Sequence, residues 1–262
     1  MSAVVTVDRI TKRYGGLTAV DDCALEVPRG SITGLIGPNG AGKTTLFNII
    51  AGVTQADHGR ILLDGEDVTG KKPHELFGLG LARTFQIPKE WARMTVLENL
   101  MVIPRHQSGE RVLAAWFRPG RVRREEQAIH RRAEATLEVL GLASHRLALA
   151  GTLSGGQKKL LELGRTMMVD AKVILLDEPG AGVNRTLLGE LAHYIERLHG
   201  ERGTSFCIIE HDMDLITRLC DPVIVMAEGR VLAQGNMAEI KADERVREAY
   251  LGAPAPGAAA AS

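Results

Sequence analysis

A short glycine-rich segment limits the folds open to this chain more than any other feature. Residues 37–45 read Gly-Pro-Asn-Gly-Ala-Gly-Lys-Thr-Thr and follow an apolar run at 32–36. This spacing is typical of a phosphate-binding loop, in which main-chain N–H groups converge on a polyphosphate and a lysine reaches its β- and γ-phosphates. The segment 44–51, closed by Gly52, predicts a short helix, so strand, loop and helix come in the required order. An ordinary glycine-rich turn is the alternative.

The residue types of this loop indicate what each would contact. The glycines allow close backbone approach to a phosphate, Lys43 supplies positive charge, and the Thr44 hydroxyl is a candidate Mg²⁺ ligand. The predicted nucleotide-binding residues of the loop are Gly37, Pro38, Asn39, Gly40, Ala41, Gly42, Lys43, Thr44 and Thr45.

Two adjacent carboxylates end a second apolar run. Residues 173–179 read Val-Ile-Leu-Leu-Asp-Glu-Pro, which predicts a buried strand that the proline stops. At the end of a parallel strand, Asp177 and Glu178 would lie at the ligand-binding edge of an open α/β sheet and point to opposite faces. We therefore assign Asp177 to Mg²⁺, directly or through water, and Glu178 to the attacking water. A solvated strand end is the alternative.

A third motif, Leu-Ser-Gly-Gly-Gln at 153–157, precedes a helical pattern. Its serine hydroxyl and backbone amides would form a second anion-binding cradle, which consists of Ser154, Gly155, Gly156 and Gln157. Here the chain resembles the ATP-binding-cassette (ABC) ATPases, whose signature motif has this sequence, and the resemblance runs over residues 4–252. It implies ATP and Mg²⁺ as cofactors and ATP hydrolysis as the activity.

Three further positions take their roles from this resemblance. Tyr14 stands where the family has an aromatic residue that stacks on adenine, and Gln86 where it has a glutamine that senses Mg²⁺ and the γ-phosphate. His211, which follows the apolar run 206–209, matches the switch histidine of the family. From the residues alone, a partly exposed tyrosine and an ordinary loop histidine are the alternatives. The implied catalytic residues are Lys43, Gln86, Glu178 and His211, and the implied metal ligands are Thr44, Gln86 and Asp177.

The predicted fold is α/β, a P-loop NTPase of the ABC type with a mostly parallel core sheet. Alternating polar and apolar residues over 4–27, and an Asp-Gly turn within 60–68, predict an N-terminal antiparallel β lobe. An inserted helical lobe is expected at about 88–165. Residues 1–252 would form a single nucleotide-binding domain, and the small-residue tail 253–262 is predicted to be disordered. The apolar residues that share one face of the helical pattern are Val122, Ile129, Ala133, Leu137 and Leu140.

The resemblance also implies an assembly. ABC ATPases pair head to tail, as a homodimer or with a homologous ATPase, and the signature residues then meet the ATP bound by the other subunit. The motifs at 83–87, 94–100, 178–184 and 209–213 and the ending 249–252 look like the ATP-binding subunits of branched-chain amino-acid importers. That subfamily implies two membrane permease subunits and an extracytoplasmic solute-binding protein. Importers of urea or short amides, a lipopolysaccharide-type exporter and a soluble non-transport ABC ATPase are the alternatives.

One residue departs from the general family pattern. The loop 181–184 ends in Asn184, where the family usually has aspartate, although the branched-chain importer subfamily commonly has asparagine there. Asparagine keeps a hydrogen-bonding head group but lacks the charge.

Composition and missing motifs exclude several functions. The 32 basic and 32 acidic side chains leave no excess positive charge for non-specific nucleic-acid binding. Three cysteines without metal spacing indicate reduced thiols and a cytoplasmic location. The resemblance to transporter ATPases implies that the chain is peripheral on the inner face of the cell membrane. We expect no signal peptide and no spanning segment, because neither a basic region with an apolar core nor a long apolar run is present. A GTPase would need an Asn-Lys-x-Asp motif, and no asparagine here precedes lysine.

Two surface predictions concern partners. Ile87, Trp91, Met94 and Val96, close to Gln86 in the chain, are candidates for an apolar surface on which the permeases dock, or for the packing face of the helical lobe. The stretch 118–132 holds six arginines and two glutamates. It is interpreted as a solvated helix face, with a contact to anionic headgroups or a partner as the alternative.

Overall fold

The computed structural model describes residues 2–84, 90–104, 107, 116 and 119–251. The predictions for Gln86, Ile87 and the tail 253–262 therefore lie outside the described residues. Contacts divide the chain into two compact units. We call the first, residues 1–83, 172–178 and 199–262, the sheet unit, and the second, residues 84–171 and 179–198, the helical unit.

The described strands are β1 Ala3–Tyr14, β2 Leu17–Pro28, β3 Ile32–Ile36, β4 His58–Leu63, β5 Glu66–Asp67, β6 Leu81–Arg83, β7 Val173–Asp177, β8 Ser205–Ile209, β9 Val223–Ala227 and β10 Arg230–Gly235. The described α-helices are α1 Lys43–Ile50, α2 Pro73–Leu79, α3 Val96–Met101, α4 Pro119–Val139, α5 Gly155–Met167, α6 Arg185–Arg202, α7 Met213–Leu219, α8 Met237–Ala242 and α9 Glu244–Leu251. Short 3₁₀ turns occupy Ala143–His145 and Ala150–Thr152.

The sheet unit contains an antiparallel sheet in the order β2-β1-β4-β5. The alternating sequence places side chains such as Val5, Val7 and Ile10 inside and leaves their polar neighbours more accessible. Asp64 and Gly65 both have positive φ, 55° and 80°, and they connect β4 to β5. Such residues suit the tight turns that match the twist of paired strands. The predicted antiparallel lobe is confirmed.

A second sheet of the same unit has the order β10-β9-β3-β8-β7-β6. The pairs β3–β8, β3–β9, β7–β8 and β6–β7 are parallel, and only the described β10 runs antiparallel, to β9. Every residue of β3, β7 and β8 is buried, as expected for runs of apolar residues without alternation. The carboxyl ends of these three neighbouring strands lie at one edge of the sheet, and each is followed by a residue of the predicted site.

One apolar core joins the two sheets and α1. Leu46 and Phe47 of α1 are fully buried in a cluster that includes Val7 from the antiparallel sheet and Leu175 from the parallel one. Burying a side chain of this size stabilises the fold by about 1.5–3 kcal/mol. The helix that follows the glycine-rich loop is therefore held rigidly from both sides.

The helical unit is built on α3, α4 and α5. Residues Leu100, Ala133, Leu137 and Leu161 are at most 1% exposed, and they form the apolar faces of these helices. On α4 the predicted face is buried at Ala133 and Leu137 and half-buried at Val122 and Ile129. Leu140, the last residue of that face, is buried just beyond the helix end. Most of the arginines of α4 are exposed, and Arg121 pairs with Glu125, four residues further on, at 2.8 Å. Among the residues that the structure describes, no helix has the length and apolar character needed to cross a bilayer.

The predicted docking surface needs one correction. Val96 is 0% exposed, so its inclusion among surface residues is wrong. It begins α3 and shares a buried helix face with Leu100 four residues later, because that spacing returns to the same side of a helix. Trp91 remains 42% exposed and Met94 is half-buried.

Candidate active site

The glycine-rich loop leaves β3 in a conformation that requires glycine. Gly37, Gly40 and Gly42 have φ of 151°, 83° and 93°, a region that other residues rarely adopt. A Cβ atom at Gly37 would lie 2.1 Å from the carbonyl oxygen of Met226, and one at Gly42 would lie 2.3 Å from that of Ala19. Backbone occupies the space of a side chain at both positions. We refer to residues 37–45 as the phosphate loop.

Lys43 is folded back onto this loop. Its ammonium group donates to the carbonyl oxygens of Gly37 and Pro38 at 2.7 and 2.9 Å, and the residue is only 6% exposed. Burial lowers the pKa of Lys43, whereas the charges of Glu178 and Asp177 oppose that shift. Phosphate oxygens can replace these two carbonyl oxygens as acceptors, because the ammonium group of a lysine is a point charge with three donors on a flexible stem.

Helix α1 starts directly at this lysine and has no side-chain cap. Gly42 occupies the cap position, so the first N–H groups of the helix have no side-chain acceptor there. Thr44 is exposed and Thr45 half-buried in the first turn. Free amides at a helix start, next to an ammonium group, are suited to bind an anion.

Asp177 ends β7 and is 2% exposed. Its Oδ2 atom accepts a hydrogen bond from Arg83 at 2.9 Å, and the same guanidinium donates to Asn48 of α1 at 2.6 Å. The other carboxylate oxygen, Oδ1, is buried and has no hydrogen-bond partner among the described residues. Burial raises the pKa of Asp177, and the hydrogen bond and charge of Arg83 oppose that rise.

This donor set fits Mg²⁺. The described residues hold no cluster of three or more His, Cys, Asp or Glu that could bind a metal by themselves. Mg²⁺ needs no such cluster, because it usually keeps several waters and takes one or two protein oxygens together with substrate phosphates. The unpartnered Oδ1 of Asp177 and the exposed hydroxyl of Thr44 are oxygens of this kind.

Glu178 and His211 face each other across neighbouring strand ends. The Nε2 atom of His211 lies 3.1 Å from Oε1 of Glu178, so an imidazole protonated at Nε2 donates to the carboxylate. Glu178 follows β7 and His211 comes two residues after β8, which is paired with β7 in parallel. The backbone N–H of His211 donates to Glu210 at 2.9 Å, which fixes the start of the loop that carries the imidazole.

The backbone of Glu178 is unusual. Its φ is 49°, in the left-handed region, and its N–H donates to the carbonyl of Ile209 at 2.9 Å. A non-glycine residue in this region costs roughly 1–3 kcal/mol, and such residues concentrate at functional sites. This turn takes the chain out of the sheet directly after Asp177. The Asp177 carboxylate is therefore buried at the end of β7, whereas the Glu178 carboxylate lies beyond the strand, next to His211.

Tyr14 lies at the tip of the β1–β2 hairpin, opposite Leu17. Its ring is 48% exposed, and the ammonium group of Lys12 lies 5.5 Å from the ring centre. Ala19, two residues beyond Leu17 on β2, is the residue whose carbonyl abuts Gly42. The exposed ring of Tyr14 is therefore carried by β1 and β2, and β2 contacts the phosphate loop through Ala19.

The signature residues lie in the helical unit. Ser154 caps α5: its hydroxyl accepts from the N–H of Gln157 at 3.3 Å, and the Gln157 side chain accepts from the N–H of Ser154 at 3.0 Å. These contacts form a capping box. A Cβ atom added at Gly155 would have no neighbouring atom within 4 Å, whereas a Cβ atom added at Gly156 would lie 2.5 Å from the side chain of Leu187. Ser154 and Gly155 are exposed.

A cavity of about 430 Å³ adjoins this helix start. It is lined by Ser154, Gly156 and Gln157 and by the segment that begins α6, including Asn184 and Glu190. The Asn184 side chain accepts from the N–H of Leu187 at 2.9 Å, so it caps α6. Asparagine and aspartate are about equally good at this position, so the departure at Asn184 leaves the helix start intact.

The structure thus brings Lys43, Asp177, Glu178 and His211 together at one sheet edge of the sheet unit, while Gln86 lies outside the described residues. The sequence indicated no role for Arg83, which donates to Asp177, or for Asn48, which accepts from the same guanidinium. Arg83 belongs to the stretch 83–86 that was singled out for its glutamine, but nothing local shows that its partner lies 94 residues away.

Comparison with known proteins gives the family. Residues 20–181 match the model described as ABC transporter. The chain belongs to the ABC transporter family. This ABC ATPase also matches, over residues 230–256, a model described as branched-chain amino acid ATP-binding cassette transporter.

Similar proteins align over almost the whole ABC ATPase. A probable branched-chain amino acid transport ATP-binding protein LivG of Archaeoglobus fulgidus is 42% identical over 250 residues, which cover 95% of this chain and 96% of that protein. The high-affinity branched-chain amino acid transport ATP-binding protein BraF of Pseudomonas aeruginosa is 37% identical, with 95% and 98% covered. Among solved structures, the crystal structure of a nucleotide-free ATP-binding cassette from an ABC transporter aligns to this chain with a TM-score of 0.80 and 37% sequence identity. The alignment covers 96% of this chain and 100% of that chain.

Proposed function

We propose that this ABC ATPase powers the uptake of branched-chain amino acids. The observation that carries the substrate assignment is the match of residues 230–256 to the branched-chain transporter model, together with relatives at 35–42% identity whose names give this transport. None of the relatives named here is a urea importer, an exporter or a non-transport ATPase. The chain would lie at the cytoplasmic face of the membrane and act with two permeases and an extracytoplasmic binding protein.

The proposed chemistry uses the sheet edge. Lys43 and the amides of the phosphate loop bind the β- and γ-phosphates, and Glu178 orients and deprotonates a water in line with the γ-phosphorus. His211, whose Nε2 atom lies 3.1 Å from Oε1 of Glu178, donates to that carboxylate and holds it in the position from which it acts on the water. Thr44 and Asp177, with Gln86, would hold Mg²⁺, which neutralises phosphate charge when bound. Arg83 orients Asp177 through its hydrogen bond and favours the ionised form of that carboxylate against the effect of burial.

The signature residues would act on a second chain. Ser154 and Gly155 are exposed at the start of α5, beside a cavity lined by residues of the α6 start. The start of a helix suits a γ-phosphate, because the helix dipole favours negative charge there. A head-to-tail pair, formed with a second copy or with a homologous ATPase, brings this cradle to the partner's ATP, so that ATP joins the subunits and hydrolysis releases them.

Reconstitution tests the assignment. The chain would be co-purified with its permeases, placed in proteoliposomes and supplied with binding protein. We expect leucine, isoleucine or valine to stimulate ATP turnover and to accumulate, with urea and acetamide as comparison solutes. Stimulation by urea or acetamide alone would overturn the substrate assignment. An assembled complex that hydrolyses no ATP would overturn the catalytic roles as well.

The first prediction concerns the exposed ring at Tyr14. Tyr14→Ala should weaken ATP and GTP binding alike by about 1–3 kcal/mol, because stacking uses a ring face that every base has. Equilibrium binding of fluorescent ATP and GTP analogues measures the loss. Leu17→Ala is the matched control, since it removes a side chain that is 67% exposed at the same hairpin tip. Unchanged affinity in Tyr14→Ala would place the base elsewhere.

The permeases are proposed to dock on a groove of the helical unit. This groove has a volume of about 930 Å³ and lies between α3 and α4. Its lining combines the apolar side chains of Met94, Met101 and Val102 with Arg123 and His130. Val102 is 45% exposed, so apolar surface is available to a partner. We propose this groove in place of the docking surface predicted from the sequence, because Val96 is buried whereas Met94 lines the groove.

The second prediction tests this groove. Met94→Glu should leave ATP turnover of the isolated chain within about twofold but reduce its recovery with the permeases roughly tenfold or more. The reason is that a carboxylate in place of an apolar side chain loses its water when the interface forms, which costs about 1–3 kcal/mol. Leu147→Glu is the control, as Leu147 is 69% exposed and does not line the groove. Normal assembly and transport by Met94→Glu would move docking elsewhere. Thermal unfolding distinguishes uncoupling from loss of structure.

A further inference from the structure

A carboxylate on the loop before β4 holds the end of β1 through three contacts. The backbone N–H of Asp57 donates to the carbonyl oxygen of Thr11 at 2.9 Å. The Asp57 side chain accepts from the ammonium group of Lys12 at 2.8 Å and from the backbone N–H of Arg13 at 2.7 Å. The hydrogen bond from Lys12 is the main reason why the pKa of the Asp57 carboxyl lies below its ordinary value. Three consecutive residues are therefore fixed just before Tyr14, which ends β1.

Lys12 lies between this carboxylate and the ring of Tyr14. Its side chain is only 15% exposed, although it stands close to the tip of a hairpin. The ammonium group that donates to Asp57 also lies over the Tyr14 ring, 5.5 Å from the ring centre. A cation within about 6 Å of an aromatic ring centre is attracted to the face of the ring. One face of the ring therefore carries the ammonium group, while Tyr14 as a whole stays 48% exposed.

We propose that Lys12 is a positioning residue for the base of the nucleotide. Asp57 holds its ammonium group against one face of the Tyr14 ring, so the ring is restrained and the opposite face is presented to the base. An unrestrained tyrosine loses side-chain freedom when a base stacks on it, which weakens binding, whereas a ring that is already held loses less. The inference rests on the proposed nucleotide binding at Tyr14 and adds a residue that acts through the ring.

This role differs from a simple attraction between Lys12 and the phosphates. A lysine that acts by its charge would strengthen the binding of any polyphosphate, whether or not the ligand carries a base. The charge of Lys12 is paired with the Asp57 carboxylate, and the proposed effect passes through a ring that only the base contacts. Inorganic tripolyphosphate has the phosphates without the base, so its affinity separates the two explanations.

The test compares Lys12→Met with the wild-type chain, because methionine keeps an unbranched stem and lacks the charge. We expect Lys12→Met to raise the Kd for ATP and for GTP roughly two- to fivefold, the range for a cation over an exposed ring. The Kd for tripolyphosphate should not change. Lys12→Arg should keep wild-type affinity, since a guanidinium also pairs with a carboxylate and stacks on a ring. Lys71→Met is the matched control: it removes a lysine that pairs with Glu66 on β5, at the sheet edge opposite β2.

A double-mutant cycle shows whether Lys12 acts through the ring. In the Tyr14→Ala background, Lys12→Met should cause no further loss of ATP affinity, because the ring that it positions is absent. Asp57→Asn weakens the hold on the ammonium group and should also raise the Kd for ATP without changing that for tripolyphosphate. Isothermal titration calorimetry measures each Kd. Thermal unfolding checks the fold of each variant, and Asp57→Asn carries the same comparison if Lys12→Met does not fold.

Nuclear magnetic resonance of the nucleotide-free protein reads the contact independently. The ring signals of Tyr14 should shift in Lys12→Met and stay in place in Lys71→Met. Unshifted signals, unchanged ATP affinity in folded Lys12→Met or an equal loss of tripolyphosphate affinity would each overturn the proposal. So would wild-type ATP affinity in Tyr14→Ala, or a further loss when Lys12→Met is added to it. None of these measurements uses permeases or a transported solute, so failure of the proposed transport function would appear only in the reconstitution.

Discussion

Glu178→Gln should reduce steady-state ATP turnover by a factor of roughly 10²–10⁴, the usual contribution of a general base, while ATP affinity stays within about twofold. The amide keeps the shape of the side chain and its contact distance to His211, but it does not accept a proton from water. Phosphate release in the reconstituted complex and equilibrium ATP binding measure the two quantities separately.

The structure offers a closely matched control for this substitution. Glu228 also has a left-handed backbone, with φ of 50°, and lies exposed in the turn between β9 and β10. Glu228→Gln should leave turnover unchanged, which shows that loss of a carboxylate at a left-handed position is not itself harmful. Near-normal turnover in Glu178→Gln would remove Glu178 from the role of base.

Lys43→Ala should act on binding rather than on turnover alone. The substitution removes the charge that phosphates attract, and charge-assisted hydrogen bonds of this kind contribute about 1.5–3 kcal/mol each, so ATP affinity should fall roughly 10- to 150-fold. Lys241→Ala, at an exposed position of α8, is the control. Titration with ATP at saturating Mg²⁺ measures the change. Wild-type affinity in Lys43→Ala would mean that the lysine keeps its carbonyl contacts and does not reach the phosphates.

The fold class was predictable because its signals are local. A strand, a glycine-rich turn and a helix start in fixed order leave few folds open, and the all-apolar runs at β3 and β7 indicate strands buried on both faces. Candidate site residues at the ends of β3, β7 and β8 follow from the rule that parallel strands end at the same edge. The domain boundaries at 1–252 and the helical lobe near 88–165 stay predictions.

Contacts between distant residues could not be predicted in this way. Arg83 and Asp177 are 94 residues apart, and no periodicity or spacing in the sequence connects them. Val96 was assigned to the surface because an apolar residue near a polar motif looks the same whether a partner or another helix covers it. Burial depends on which helix packs there, and that is a tertiary property.

Because the backbone of Glu178 is left-handed, thermal stability and catalysis favour different residues at this position. Glycine adopts this conformation without steric cost, and asparagine does so more readily than glutamate. Replacement by either would relax the turn and make the folded chain more stable, yet would remove the carboxylate that acts on water. A directed-evolution screen that rewards survival at high temperature, without a demand for turnover, would therefore be drawn to this residue and would return well-folded proteins that bind ATP and no longer hydrolyse it.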